Sequence, residues 1–450
     1  MRLTAFALLC ALVAPAQAAP DASQVTEATL KNGLKVIVWP DRDIPNVALY
    51  LWFRVGSRNE APGITGVSHF FEHMMFNGAK KYGPGEFDRV MEAAGGSNNA
   101  FTSNDVTVYQ DWFPKEALAT IFDLEADRIG ALAIDPKMVE SERGVVASER
   151  RTSVDDSNES VLDEQVRAVA FTAHPYGIPV IGWPSDIETW TIGDLQRHFT
   201  TYYAPNNATL VVVGDVDAKA IVALATRTLG KIPAQPPPRP VTTNEPEQRG
   251  MRRLVVEKEG QLAIVQASFH AVAAGDARFP AFELLRTILT DGESSRLHRR
   301  LVELERVAVD VSCQLDDGFD PGLLSFQVVV SEGADPARVE AVLFEELTRI
   351  GREGPTAAEL QKARTLALTK FWRMMRTIDG KAWALGQWET FRGGWRGAMT
   401  AASLWDAVTA DQVRDAAQLL RATNATVGVL LPVRSGGQTE AEAATEGGAP

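Results

Sequence analysis

The run His69-Phe70-Phe71-Glu72-His73 places two imidazoles and a carboxylate close together in the chain. If the run is helical, His69 and His73 lie on one face and can bind the same metal ion, with Glu72 beside them. Zinc with three protein ligands and one open position supports hydrolysis, because it lowers the pKa of bound water to about 7 and polarises a carbonyl. We therefore expect a hydrolytic zinc site with Glu72 as general base; the alternative is two solvent-facing histidines on an amphipathic helix.

The third ligand must come from another part of the chain, and the segment 140–150 is the best source. It contains Glu142 and Glu149, which are seven residues apart and therefore share a helix face. One carboxylate can bind zinc while the other orients a ligand imidazole. The spacing alone leaves open which carboxylate takes which role.

The length and composition are those of a globular protein with more than one hydrophobic core. The chain has 450 residues, of which 45% are hydrophobic and 23% charged, so two domains are expected. Its formal net charge is -13, and it lacks the clustered Lys and Arg that nucleic acids or anionic membranes attract. We expect neither of these partners.

The two ends of the chain carry signals of their own. A signal peptide is predicted over residues 1–18. This segment has a charged Arg2, an apolar run from residue 3 to 13 and the small-residue cleavage site Ala16-Gln17-Ala18. No later segment has about 18 consecutive apolar residues, so no membrane anchor is expected. We predict an exported, periplasmic protein of a bacterium. Residues 433–450 are predicted to be a disordered tail, because they are rich in Ala, Glu, Gly and Thr.

A Pro-rich segment divides the chain into two parts with a similar order of elements. We predict an N-terminal metal-binding domain over 25–231, an extended linker over 232–250 and a C-terminal domain over 251–432. Both parts read strand, strand, helix, strand, helix, which indicates an internal duplication. In the second part, Glu283-Leu284-Leu285-Arg286-Thr287 stands where the first part has its metal helix.

Several stretches beyond the motif resemble the pitrilysin (insulinase) family of zinc peptidases. The inverted His-x-x-Glu-His motif is followed by Glu149, 76 positions after His73. The similarity is greatest to the shorter members related to mitochondrial processing peptidase and its bacterial homologues. Further matching stretches extend over nearly the whole chain after the signal: 56–60, 95–103, 107–109, 203–208 and 213–215.

The resemblance assigns roles that the spacing left open. It implies that His69, His73 and Glu149 bind one Zn2+, that Glu72 takes a proton from the metal-bound water, and that Glu142 supports a ligand from outside the metal shell.

The resemblance also implies an α+β fold of two homologous α/β domains, each a mainly antiparallel sheet with packed helices, forming a clam-like chamber. Asn99 and Ala100 match the edge strand on which family members bind peptides by strand addition. The implied activity is cleavage of unfolded peptides inside the closed chamber.

One departure from the family pattern concerns the second domain. Family members often carry an Arg and a Tyr seven positions apart that reach the substrate carbonyl, but here these positions hold Val302 and Val309. Arg299 or Arg300 could replace the Arg, yet neither supplies a phenol. We therefore expect a homologous partner chain, in a homo- or heterodimer, to complete the site. The alternative function is a non-catalytic or partner-dependent subunit that binds zinc and peptide.

The remaining histidines and the tryptophan-rich run are predicted to be structural. The histidines lack metal-binding spacing: His174, His198, His270 and His298. The tryptophans have a spacing that favours helix packing over a ligand-stacking surface: Trp372, Trp383, Trp388 and Trp395.

Overall fold

The computed structural model describes residues 21–433. The predicted signal peptide over 1–18 therefore lies outside the described residues, as does the predicted tail from residue 434 onward. Within 21–433, no helix is both long enough and apolar enough to cross a membrane.

The strands of the first sheet surround a buried parallel pair. Its order is β1-β2-β6-β3-β5-β4, and only β2 and β6 run parallel. The strands are β1 (Thr26–Thr29), β2 (Lys35–Pro40), β3 (Asn46–Phe53), β4 (Ser97–Thr102), β5 (Thr107–Pro114) and β6 (Ala208–Gly214).

The second sheet repeats this topology. Its order is β7-β11-β8-β10-β9, again with one parallel pair, β7 and β11, followed by antiparallel neighbours. The strands are β7 (Arg252–Glu259), β8 (Ile264–His270), β9 (Ala308–Leu315), β10 (Leu323–Val330) and β11 (Ala425–Val433). Strand for strand, β7 to β11 correspond to β2 to β6. The predicted α+β class with two related, mainly antiparallel sheets is confirmed.

Helices pack on both sheets. Before the Pro-rich segment they are α1 (Val67–Met74), α2 (Glu86–Ala93), α3 (Leu118–Ala131), α4 (Pro136–Arg150), α5 (Asn158–Ala170), α6 (Pro184–Thr189), α7 (Ile192–Tyr202) and α8 (Ala218–Arg227). After it they are α9 (Phe279–Thr290), α10 (Pro336–Glu353), α11 (Ala357–Met374), α12 (Ile378–Phe391), α13 (Arg396–Ala407) and α14 (Ala410–Ala417). Two π-helical segments span Arg151–Asp155 and His298–Leu304.

Alternating side chains of the first sheet enter two different cores. On β2, Val36 and Val38 join the core under α1 and α3, whereas Ile37 and Trp39 face the helices of the second half. Both faces are apolar because a strand points successive side chains to opposite sides, and this sheet is covered on both.

The two halves exchange helices across their interface. Helix α12 from the second half packs on β3 and β6 of the first sheet, while α5 from the first half packs on β8 and β11 of the second. Glycines permit both close approaches: a Cβ at Gly386 of α12 would overlap the indole of Trp52, and one at Gly428 of β11 would lie 2.5 Å from Val166 Cγ2. The order of elements along the chain does not reveal this exchange.

The Pro-rich segment 232–250 contains no helix or strand beyond Ile232. It is nevertheless attached to the first half, because the Glu245 carboxylate accepts backbone N–H groups of Thr172, Ala173 and His174, each at 2.9 Å. The domain limits at 231 and 251 remain our proposal.

We expect Gly386→Ala to destabilise the protein by about 1–3 kcal/mol, because the added methyl group overpacks the contact between α12 and Trp52. The free energy of unfolding from denaturant titration measures this loss. Gly144→Ala is the matched control: Gly144 also lies in a helix, but a Cβ there would have no neighbour within 4 Å. Equal effects of the two substitutions would contradict the close approach.

Candidate metal centre and cavity

Helix α1 presents its apolar side to the first core and His69, Glu72 and His73 to the other side. Phe70, Phe71 and Met74 are fully buried beneath it. This division follows from the helical period, since the polar residues recur at i, i+3 and i+4.

The N-terminus of α1 is capped by a residue from outside the helix. Gly66 at the N-cap has a φ of 83° and no side chain to accept the first N–H groups. The buried carboxylate of Glu60 accepts them instead, from Gly66 N at 2.6 Å and Ser68 N at 2.7 Å. Burial raises the pKa of Glu60 to about 8, although these hydrogen bonds lower it in part. No motif in the sequence indicated this role of Glu60.

Two further contacts hold α1 against the core. The Tyr109 hydroxyl donates to the carbonyl of Phe71 at 2.9 Å, and Ser68 Oγ lies 3.1 Å from His198 Nε2. Burial lowers the pKa of His198 to about 3, so this imidazole is neutral in the core. It lies behind α1 and is not part of the metal cluster found among the described residues.

Helix α4 brings the two candidate carboxylates to α1. Asp135 caps the helix by accepting the N–H groups of Lys137 and Met138. Glu142 Oε1 lies 2.8 Å from His73 Nδ1, and Glu142 Oε2 accepts the Asn77 amide at 2.7 Å. The Glu142 carboxylate is thereby fixed on the far side of the His73 ring from Nε2.

Glu149, two turns later, lies between both imidazoles. Its carboxylate oxygens are 3.5 Å from His69 Nε2 and 3.2 Å from His73 Nε2. One ligand atom from each of these three residues lies within 4.8 Å of the others. The structure thus brings together all three residues that the resemblance named as ligands, and it places Glu142 behind them.

The donor set and spacing fit zinc. Bonds of 2.0–2.2 Å in a tetrahedral site separate neighbouring ligand atoms by about 3.3–3.6 Å. The two distances from Glu149 to the imidazoles are close to this range. Because His73 Nδ1 faces a carboxylate, its proton is held there and Nε2 is left as the donor atom, which is the usual arrangement of a metal-binding histidine.

The charges in the site are strongly coupled. Burial lowers the pKa of His73, but the hydrogen bonds to Glu142 and Glu149 outweigh it and raise the pKa to about 9. Hydrogen bonds from His69 and His73 hold the pKa of Glu149 well below its usual value. The hydrogen bond from His73 also lowers the pKa of Glu142, against the effect of burial.

A cavity of about 1140 Å³ lies between the two halves, and the metal cluster borders it. His69, Glu72 and Glu149 line one wall. Glu72 Oε2 is 4.0 Å from His69 Nε2, so its carboxylate lies beside the ligand atoms. The position suits a base that acts on a molecule bound next to the metal.

Strand β4 forms the edge of the first sheet, as expected from the resemblance. Asn99 and Ala100 lie on it, paired with Gln110 and Tyr109 of β5. The residues of this region that line the cavity follow them, namely Phe101, Thr102 and Asn104. Among the described strands β4 pairs only with β5, so its other edge is available for strand addition.

The two valines at the positions of the family's Arg and Tyr do not border the cavity, and neither do the two arginines that could replace the Arg. Val302 is half-buried and Val309 is exposed, and neither borders the cavity. Arg300 donates to Glu305 at 2.8 Å and to Glu345 at 3.0 Å. Neither Arg299 nor Arg300 lines the cavity.

The tryptophan-rich run has a second role that its spacing did not indicate. Trp383 packs against Trp52 and Phe101, with ring centroids 5.4 Å and 5.2 Å apart. Trp383 therefore has the packing role that we predicted for these tryptophans. Trp383 and Trp388 also line the cavity. Only the exchange of α12 brings them there.

Both halves of the chain are similar to known proteins. A family profile described as "Insulinase (Peptidase family M16)" matches residues 35–183, and one described as "Peptidase M16 inactive domain" matches residues 189–366. The chain is 34% identical to the zinc protease PqqE of Helicobacter pylori over 285 residues, 62% of this chain and 64% of that protein. It therefore spans less than two thirds of that relative. It is 30% identical to an uncharacterized zinc protease of Mycobacterium tuberculosis over 337 residues, 74% of this chain and 76% of that protein.

Solved structures show the same architecture. A protease from Helicobacter pylori has a TM-score of 0.87 at 27% identity, covering 91% of this chain and 99% of that chain. The periplasmic protease PqqL from Escherichia coli shares the fold, with a TM-score of 0.74 at 23% identity, covering 92% of this chain and 48% of that chain. From the profile matches and the mycobacterial relative together, the chain belongs to the insulinase family, peptidase family M16.

Proposed function

We propose that the protein is an exported zinc-dependent endopeptidase that cleaves unfolded peptides within the cavity between its halves. The observation that carries this proposal is the cluster of His69, His73 and Glu149 at the cavity wall, with Glu72 beside it. The relatives named zinc proteases support zinc and peptide hydrolysis.

When bound by His69, His73 and Glu149, zinc would lower the pKa of water and polarise the scissile carbonyl. Glu72 takes the proton from the attacking water and passes it to the leaving amine. Glu142 and Asn77 keep His73 in the orientation that presents Nε2.

Strand β4 would bind the substrate main chain next to these groups. Backbone hydrogen bonds along the Asn99 and Ala100 edge are independent of side-chain identity, so they suit varied extended peptides. A cavity of about 1140 Å³ has room for a peptide segment but not for a folded domain. Export to a periplasm is supported by the signal peptide predicted from the sequence and by the periplasmic PqqL, which shares the fold.

We expect Glu72→Gln to lower kcat at least about 100-fold while zinc content is unchanged, because a general base is removed and no ligand is lost. A quenched-fluorescence peptide assay together with metal analysis measures both. Glu140→Gln is the matched control, since Glu140 lies on the exposed side of α4 with an 80% exposed side chain. Unchanged cleavage by Glu72→Gln with zinc still bound would refute the mechanism.

Measuring zinc affinity distinguishes the roles of the two α4 carboxylates, Glu142 and Glu149. We expect Glu142→Gln to weaken zinc binding about 10- to 100-fold, because the substitution removes the negative charge that orients and polarises the His73 imidazole. Glu149→Gln should weaken it further, since a direct ligand is lost. Competition with a chromophoric chelator measures both affinities. A larger effect at Glu142 than at Glu149 would reverse the assignment.

A partner-dependent or non-catalytic subunit is the second candidate. The positions of the family's Arg and Tyr hold Val302 and Val309, which lie away from the cavity. The Escherichia coli PqqL chain is about twice as long as the part that matches, which suits a working unit of two such halves. A second homologous chain could then supply the missing donors.

Under this candidate, we expect the purified chain alone to cleave peptides about 100- to 1000-fold more slowly than the complex with its homologous partner, as when an oxyanion donor is missing. Light scattering identifies the assembly, and the peptide assay gives its rate. The complex that carries Glu72→Gln in this chain serves as the control. Full activity of a monomer would exclude dependence on a partner.

A further inference from the structure

Helix α9 holds the place in the second half that α1 holds in the first. It connects β8 and β9, just as α1 lies between β3 and β4 in the corresponding topology. Glu283, Arg286 and Thr287 of α9 all line the same cavity as the metal cluster. The duplicated position therefore still faces the cavity, but with different chemistry.

A buried arginine stands behind the carboxylate of α9. The Arg392 side chain is only 10% exposed and lies over the rings of Phe279 and Trp388, at 4.7 Å and 5.1 Å. Its Nη2 lies 3.0 Å from Glu283 Oε1 and 3.5 Å from Asp317 Oδ2. A single guanidinium nitrogen thus serves two carboxylates.

The two carboxylates carry one negative charge more than Arg392 neutralises. Their side chains remain 23% and 25% exposed, and both border the cavity. Trp405 Nε1 donates to Glu283 at 2.8 Å and the Gln387 amide to Asp317, but these partners are neutral. Asp317 Oδ1 is itself buried and has no hydrogen-bond partner within residues 21–433. Burial raises the pKa of Asp317, against the attraction of Arg392, and a second cation beside the carboxylates would offset this cost of burying the charge.

The surroundings of the carboxylates are apolar. Phe279, Trp388 and Trp405 line this part of the cavity, and Phe371 of α11 packs against Trp405. Such walls contact the methylene groups of a long side chain while its charged end meets the carboxylates. The cavity as a whole is also acidic: eight carboxylate residues line it, against the four cations Arg167, Arg286, Lys370 and Arg392.

We propose that this pocket, formed by Glu283, Asp317, Arg392, Phe279, Trp388 and Trp405, binds the arginine or lysine side chain of a peptide held in the cavity. The proposal rests on the proposed function, since it concerns the choice of peptide. It assigns peptide selection to the wall opposite the metal.

Binding is measured with the Glu72→Gln variant, so that no turnover is needed. The probes are N-acetylated fluorescent peptides of one sequence, in which a single Arg is moved along the chain and compared with citrulline, its neutral counterpart. We expect at least one Arg position to bind about tenfold more tightly than citrulline, the gain of a charge-assisted contact. Adding Glu283→Gln and Asp317→Asn should abolish this preference and leave the affinity for the citrulline peptide unchanged.

Glu159→Gln is the matched control, because Glu159 lines the same cavity on α5, away from the pocket. An equal loss of the Arg preference in this variant would assign the effect to the general field of the cavity and overturn the pocket. The pocket would also be overturned if the Glu72→Gln variant showed no preference for Arg over citrulline at any position of the N-acetylated peptides. If Arg peptides bind selectively but the chain with Glu72 intact cleaves none, the proposed function fails and the pocket stands.

Discussion

The packing of α12 on the first sheet is the contact on which the cavity depends. Trp52 is almost completely buried under this helix, and Gly386 is the position that lets the two backbones approach. Polar contacts fix the helix at both ends: Trp112 Nε1 donates to Asp379 at 2.7 Å, and Lys35 pairs with Glu389 at 2.5 Å. The same helix carries Trp383 and Trp388, which line the cavity wall opposite the metal cluster. The interface that holds the halves together therefore also builds the cavity.

The reciprocal packing of α5 on the second sheet completes this arrangement. Leu162 and Val166 are fully buried against Ile264 and Leu430. Each sheet is thus covered by a helix from the other half, and separating the halves would expose apolar area on both sheets. The packing of α12 and of α5 thus holds the metal cluster and the pocket around Glu283 and Asp317 on facing walls of the cavity.

Much of the metal wall could be predicted from the sequence because its geometry is local. The helical period alone puts His69, Glu72 and His73 on one side of α1 and puts Glu142 and Glu149 on one side of α4. The spacing could not say which carboxylate meets both imidazoles, since that depends on how α4 crosses α1. The resemblance supplied the assignment, and in the structure Glu149 is the carboxylate that lies near both imidazoles. The duplication was likewise visible as a repeated order of elements, which the matching sheet topologies explain.

The opposite wall could not be predicted, because it is made by contacts between residues distant in the chain. Arg392 follows α12 and meets Glu283 of α9, 109 positions earlier in the chain, and Asp317 of the loop after β9. The tryptophans of α12 have a spacing suited to packing, and packing is one of their roles. That they also face a cavity follows from the exchange of helices, which leaves no periodic signal in the sequence.

We propose that one zinc ion binds at the cavity wall between α1 and α4. Anomalous diffraction from crystals of the zinc-loaded protein, recorded on both sides of the zinc absorption edge, would locate the ion. We expect one peak per chain at bonding distance, about 2.0–2.2 Å, from His69 Nε2, His73 Nε2 and a Glu149 oxygen, with Glu142 outside that distance. A peak coordinated by Glu142 in place of Glu149, or no zinc peak at this cluster, would contradict it.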